Sequence, residues 1–137
     1  MTEEQKAVIN KINKAIEFCS LWYSVPVDRL KAHAWQESAW DDQGTNTHVV
    51  SSDGGMGLFQ IEKGVHPIAS DESAFDVLVS TAWAARFLAI LYKQTGDWAL
   101  ASKAYNGSGP MADQYTAKIT ELINEKPWLQ IVKEASI

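Results

Sequence analysis

From Glu3 to Tyr23 apolar residues return at helical spacing, as Val8, Ile9, Ile12, Ile16 and Cys19, with Lys and Glu between them. That period predicts an amphipathic helix with one buried stripe. Ser24-Val-Pro26 breaks it, and a second helix is predicted from Val27 or Asp28 to about Ser38. Trp40 to Gly57 is rich in turn formers and reads as a loop, with a short strand or hairpin arm expected at Thr47–Ser51. Gly57 to Ile61 reads as a short helical turn, and Glu62 to Asp71 as irregular chain. Ser73-Ala-Phe-Asp76 has capping-box-like spacing and opens a long helix, Phe75 to Gln94, which Gly96 closes. From Val77 to Tyr92 its one charge is Arg86, so it is read as a buried central helix. It is too short and too interrupted to span a bilayer.

Asp97 caps a helix from Trp98 to about Tyr105, and Asn106–Pro110 forms a turn. Another helix covers Met111 to Asn124. Pro127 starts a last one, with Trp128, Leu129 and Ile131 expected to dock inward. The pattern therefore predicts an all-α domain of five to seven helices over residues 1–137, with a glycine-rich loop and room for a small β-hairpin. No repeat or linker interrupts it.

Composition narrows the function classes. The 137 residues suit one domain with a real core. A formal charge of −5 argues against nucleic-acid binding and against simple adsorption to anionic polymers or membranes. A polymer substrate would have to be held by shape, hydrogen bonds and stacking, with activity that does not collapse steeply with salt. Cys19 is the one cysteine, so no intrachain disulfide forms; it lies among Phe18, Leu21 and Trp22 and reads as a small core residue. His33, His48 and His66 lack metal-binding spacing; His33 reads as a helix-surface residue and the others as loop residues. No metal or organic cofactor is implied.

The candidate chemistry centres on Glu37. On a helical wheel it shares a side with Val27, Leu30 and Ala34. A carboxyl on an apolar stripe is expected to hold its proton to higher pH, as a general acid requires. The competing reading is a helix-end glutamate turned into water. The polar loop that follows, Ser51-Ser-Asp-Gly54-Gly55-Met56-Gly57-Leu-Phe-Gln60-Ile-Glu62, supplies glycines that let backbone approach a ligand, or merely turn the chain.

Four motifs in order carry a resemblance: Glu37-Ser38, then Ser51-x-x-Gly54-Gly55-x-Gly57-Leu58-Phe59-Gln60, then Ala104-Tyr105-Asn106, then Tyr115-x-x-x-Ile119. Over residues 27 to 120 the chain resembles the soluble lytic transglycosylase (SLT) domain, which shares the lysozyme-like fold of goose-type lysozyme. The resemblance implies cleavage of the β-1,4 bond between N-acetylmuramic acid and N-acetylglucosamine in peptidoglycan strands. It implies Glu37 as the acid, then as the base on the muramoyl C6 hydroxyl, giving a 1,6-anhydro sugar without consuming water. It places Ser38 beside the acid, Ser51 and the loop with Gly55 and Met56 along the sugars, and Gln60 on an N-acetyl group or bracing the loop. Asn106 would contact sugar near the cleavage point, Tyr105 would contact it or support the fold, and Tyr115 would reach Glu37.

The departures are local. Gly55 stands where the family has Ala and Phe59 where it has Met, and both read as mild. Asn106-Gly-Ser-Gly109 replaces the usual end of that loop, Val77 follows Asp76 in place of Pro, and Ser80 holds an Asn position. Two readings stay open for Glu62: an exposed loop acid, or a second carboxylate that activates water as in goose-type lysozymes. Asp53 is a weaker candidate for the same task, against a turn residue. A rival of another class is a non-catalytic glycan-binding module on the same fold. A monomer is expected. Met1-Thr-Glu-Glu-Gln-Lys shows no signal peptide, so the expectation is a phage-encoded enzyme or a trimmed bacterial domain.

Overall fold

The computed structural model describes residues 1–44, 50–62, 64–66, 68 and 70–137. Helix α1, Glu3–Tyr23, begins with a reciprocal cap: Thr2 Oγ1 accepts from the Gln5 N–H while Gln5 Oε1 accepts from the Thr2 N–H. Its stripe of Ile9, Ile12, Ala15, Ile16 and Cys19 is buried, and Ser24 ends it in the left-handed region. Phe18, Leu21 and Trp22, the neighbours expected around Cys19, point outward instead. Only the i, i+3/i+4 stripe faces the protein, and they lie off it. Burial also pushes the Cys19 thiol up, which keeps it unreactive.

Helix α2, Val27–Gly44, runs past the predicted end at Ser38. The expected break survives as a kink, because Ala39 and Trp40 take φ of 51° and 54°. Two left-handed non-glycine residues cost about 1–2 kcal/mol each. The return is Trp40, fully buried, its ring stacked 6.2 Å from Trp128 and its indole N–H donating to the Lys31 carbonyl. An indole hides roughly 200 Å² of surface, worth about 5 kcal/mol, so burial wins.

The predicted hairpin arm at Thr47–Ser51 lies mostly outside the described residues. Within them Val50 bridges to Met56. The hairpin itself pairs β1, Gly55–Met56, with β2, Ile61–Glu62, antiparallel, with Met56 opposite Ile61. Gly57 to Gln60 is the turn between them, closed by the Gln60 N–H to Gly57 carbonyl bond, rather than a helical turn. Gly57 sits at φ 74°, and a Cβ there would stand 2.4 Å from the Ala74 carbonyl oxygen.

Capping corrects the next boundary. Ser70 caps a short helix α3, Asp71–Phe75, and Asp76 caps the long helix α4, Val77–Thr95, by accepting from the Val79 N–H. Asp76 thus starts a helix instead of closing a capping box inside one. Gly96 ends α4 in the left-handed region as expected. Helix α4 is not buried all round: α1, α3 and α5 pack against it, and Leu78, Val79 and Ile90 are left exposed. Asp97 caps α5, Trp98–Asn106, and Pro110 opens α6, Pro110–Glu125. Helix α7, Trp128–Ala135, docks through fully buried Trp128, whereas Leu129, about 100° further round the helix, faces out.

The described residues form seven helices and one two-stranded sheet, an all-α architecture. Helix α2 lies against α1, α6 and α7, and α5 bridges α4 to α6. Among the described residues no helix is long and apolar enough to cross a membrane.

Candidate active site

Arg29, His33 and Glu37 recur every four residues along α2, so they share one face. Helix α5 meets that face with Ser102, Tyr105 and Asn106, α6 with Tyr115, and the hairpin with Phe59 to Glu62. Glu37, Asp53, Gln60, Glu62, Tyr105 and Asn106 line one cleft of about 210 Å³, together with His66 and Trp83. A second depression, lined by Gln36, Met111, Gln114 and Tyr115, meets the first at Asn106.

The Glu37 carboxyl is pushed up to about 7. Burial is the main cause. The hydroxyl of Tyr115, donating to Glu37 Oε2 at 3.3 Å, works against it, while the negative charges of Asp53 and Glu62 raise it further. The apolar-stripe reading of Glu37 thus accounts for the side chain better than the water-facing one.

The loop residues brace one another. The Ser38 hydroxyl donates to the Leu58 carbonyl at 2.7 Å, tying α2 to the hairpin turn. Asp53 accepts from the Ser51 hydroxyl and, at 3.3 Å, from the Gly55 N–H, and these bonds hold it below the usual carboxylate range; Ser51 Oγ itself accepts from the Gly55 N–H at 3.1 Å. Gln60, at φ 49°, donates to the Gly57 carbonyl at 2.9 Å. A Cβ on Gly55 would lie 2.8 Å from Gln60 Oε1 and 2.9 Å from Ser51 Oγ, so both side chains would have to move. Met56 and Phe59 are buried beneath the loop.

Tyr105 is buried at the cleft floor, edge-on to His33 at 4.7 Å and tilted against Phe87 at 5.3 Å. Asn106 is exposed at the end of α5. Glu62 is half-buried and lines the cleft beside His66, whose ring packs against Trp83 and Phe87. His48 lies outside the described residues. Among the described residues no three His, Cys, Asp or Glu side chains gather as a metal ion would need.

His33 is the main correction. The sequence reading places it on a helix surface, yet it is fully buried. Its Nδ1 lies 2.8 Å from the Tyr115 hydroxyl and its Nε2 lies 2.8 Å from Ser102 Oγ. Burial and the nearby Arg29 cation lower it to about 3, so the ring is neutral. Arg29 in turn donates to Ser102 Oγ at 2.8 Å. The Arg29-x-x-x-His33-x-x-x-Glu37 spacing carried the signal, whereas Ser102 had none in sequence.

A family model described as the transglycosylase SLT domain matches residues 14–123, most of the chain. No curated protein and no solved structure matches it. With its helical architecture and its cleft around Glu37, the chain belongs to the transglycosylase SLT domain family, whose substrate is peptidoglycan.

Proposed function

We propose that the protein is a lytic transglycosylase that cleaves the β-1,4 bond between N-acetylmuramic acid and N-acetylglucosamine, with Glu37 as its acid and base. The observation that carries this is the Glu37 carboxyl, half-buried in the cleft, lifted to about 7 and held by Tyr115. A group that must give and then take a proton works best with a pKa near the working pH. Glu37 protonates the glycosidic oxygen, and the bond from that oxygen to the muramoyl C1 breaks. The C6 hydroxyl then attacks C1 and returns its proton to the Glu37 carboxylate. The sum is an intramolecular transglycosylation that splits one strand into two and consumes no water. The negative charges of Asp53 and Glu62 favour the positive charge that develops at C1. Asn106 at the junction of the two depressions, and Gln60 on the hairpin, are the polar groups best placed to hold the sugars.

A second reading, hydrolysis, is favoured by Glu62 lining the same cleft, where it can act as base on a water. Mass spectrometry of soluble products from purified peptidoglycan separates the two, with Glu37→Gln as control. Anhydro-muropeptides, lighter by one water, support transglycosylation. Reducing-end muropeptides move the assignment to hydrolysis by Glu37 and Glu62. Binding without product, or a Glu37→Gln variant keeping more than about a tenth of the rate, removes Glu37 from the role.

A further inference from the structure

Beyond Tyr115, a buried chain of polar groups runs away from the cleft. Arg29 can only donate, so Ser102 Oγ accepts from it. The Ser102 hydroxyl has one proton of its own, and the residue is fully buried. If His33 carried its proton on Nε2, Ser102 would accept twice and its proton would face no acceptor among its partners, Arg29 and His33. An unmet buried donor is costly, so Ser102 donates to Nε2. The neutral ring must then hold its proton on Nδ1, which donates to the Tyr115 oxygen. That leaves the Tyr115 proton one direction, toward Glu37.

We propose that Arg29, Ser102 and His33 are positioning residues that form a one-way hydrogen-bond relay, fixing His33 as its Nδ1–H tautomer and so aiming the Tyr115 proton at the Glu37 carboxyl. The relay rests on the transglycosylase reading for its catalytic purpose, but its wiring rests only on the hydrogen-bond geometry and on the neutral, fully buried His33 ring. It explains why α2 carries a cation, a neutral imidazole and an acid on one face: each donor polarises the next. The end of the chain supports the carboxylate once Glu37 has given up its proton. No member except Tyr115 touches Glu37, and none before Glu37 gains or loses a proton.

Two measurements test it. Nitrogen-15 NMR of the histidine rings in the wild-type protein, with the His33 signals assigned by their loss in His33→Asn, reads the tautomer directly. Nδ1 protonated and Nε2 unprotonated supports the relay, and the reverse overturns it. The second is the pH profile of kcat for Ser102→Ala, which keeps the helix and removes one hydroxyl. Without that donor nothing holds the ring proton on Nδ1; the Nδ1–H tautomer loses its support, and the Tyr115 proton is shared between Glu37 and Nδ1 instead of being fixed on Glu37. The groups facing Glu37 are otherwise unchanged: Asp53 and Glu62 from the hairpin side, Tyr105 from α5 and Tyr115 from α6. Those facing His33 are Arg29, Tyr105 and Tyr115. The expected result is a kcat lower by about fivefold, the loss of one modest hydrogen bond, with KM unchanged and the alkaline limb moved upward. An unmoved limb overturns the proposal. If the wild-type protein cleaves no glycan, the proposed function falls while the tautomer still decides the relay.

Discussion

The Tyr115 hydroxyl lies 3.3 Å from Oε2 of Glu37, on the side of the carboxyl that faces α6. Burial, Asp53 and Glu62 all favour the protonated acid, and Tyr115 pulls the other way. The balance leaves the carboxyl at about 7. Replacing Tyr115 by Phe removes a donor that favours the ionised form, so the Glu37 pKa rises above that value. The alkaline limb of kcat moves upward in pH, and kcat falls about tenfold, as expected for one hydrogen bond to a charged group. A pH–rate profile on soluble glycan fragments checks this. An alkaline limb that moves down would mean Tyr115 does not support the carboxylate.

Gly57 and Gly54 both take positive φ, at 74° and 91°, yet they are not equivalent. A Cβ at Gly57 meets the Ala74 backbone oxygen at 2.4 Å, and backbone cannot swing aside as a side chain does. A Cβ at Gly54 meets nothing within 4 Å. Gly54→Ala should therefore cost about 1 kcal/mol, the backbone preference alone, and Gly57→Ala about 3 kcal/mol or more. Urea denaturation of the two variants checks the order. Equal costs would mean the turn can move away from α3.

Much of this architecture was legible because its signals are local. Asp97, Gly96 and Pro127 mark ends that depend on a few neighbouring residues, and the stripe in α1 needs only its own period. What escaped depends on distant partners. Trp40 keeps α2 going past a polar stretch because Trp128, from the other end of the chain, stacks on it. His33 reads as a surface residue until Tyr115 and Ser102 arrive from two other helices to satisfy both ring nitrogens. Glu37 was easier to find, since its apolar wheel neighbours are in the same helix. Ser38 and Ser51 illustrate the middle case. Their positions were readable, but their partners, Leu58 and Asp53, appear only once the hairpin folds.

The Ser38 hydroxyl is a tie between scaffold and loop. It donates to the Leu58 carbonyl, a half-buried bond that joins α2 to the hairpin turn. Ser38→Ala should cost about 1 kcal/mol of stability. The larger effect falls on the hairpin, which should open more often than the helices. Hydrogen exchange should quicken by about fivefold at the Gln60 amide, whose bond to Gly57 closes the turn, while amides of α4 stay protected. Uniform quickening across the fold would show that Ser38 acts on global stability instead.

Glu37 and His33 push stability in opposite directions with pH. Glu37 rises from an ordinary 4.5 to about 7, so between those values the native state binds the extra proton, and stability falls as pH rises. His33 falls from 6.5 to about 3, so between those values the unfolded chain binds the extra proton, and stability rises with pH. The two slopes cancel from about pH 4.5 to 6.5. Below that window the His33 contribution is lost as the pH drops, and above it the Glu37 penalty continues to grow until about pH 7. Glu37→Gln keeps the shape and removes the charge. The variant should match wild type near pH 4.5 and exceed it at pH 8 by up to about 3 kcal/mol, on the order of 10 °C in Tm. Thermal unfolding at both pH values checks this. A Tm difference that is the same at pH 4.5 and pH 8 would mean that Glu37 pays no penalty for ionising in the cleft, and the case for it as a neutral-pH proton donor would go with it.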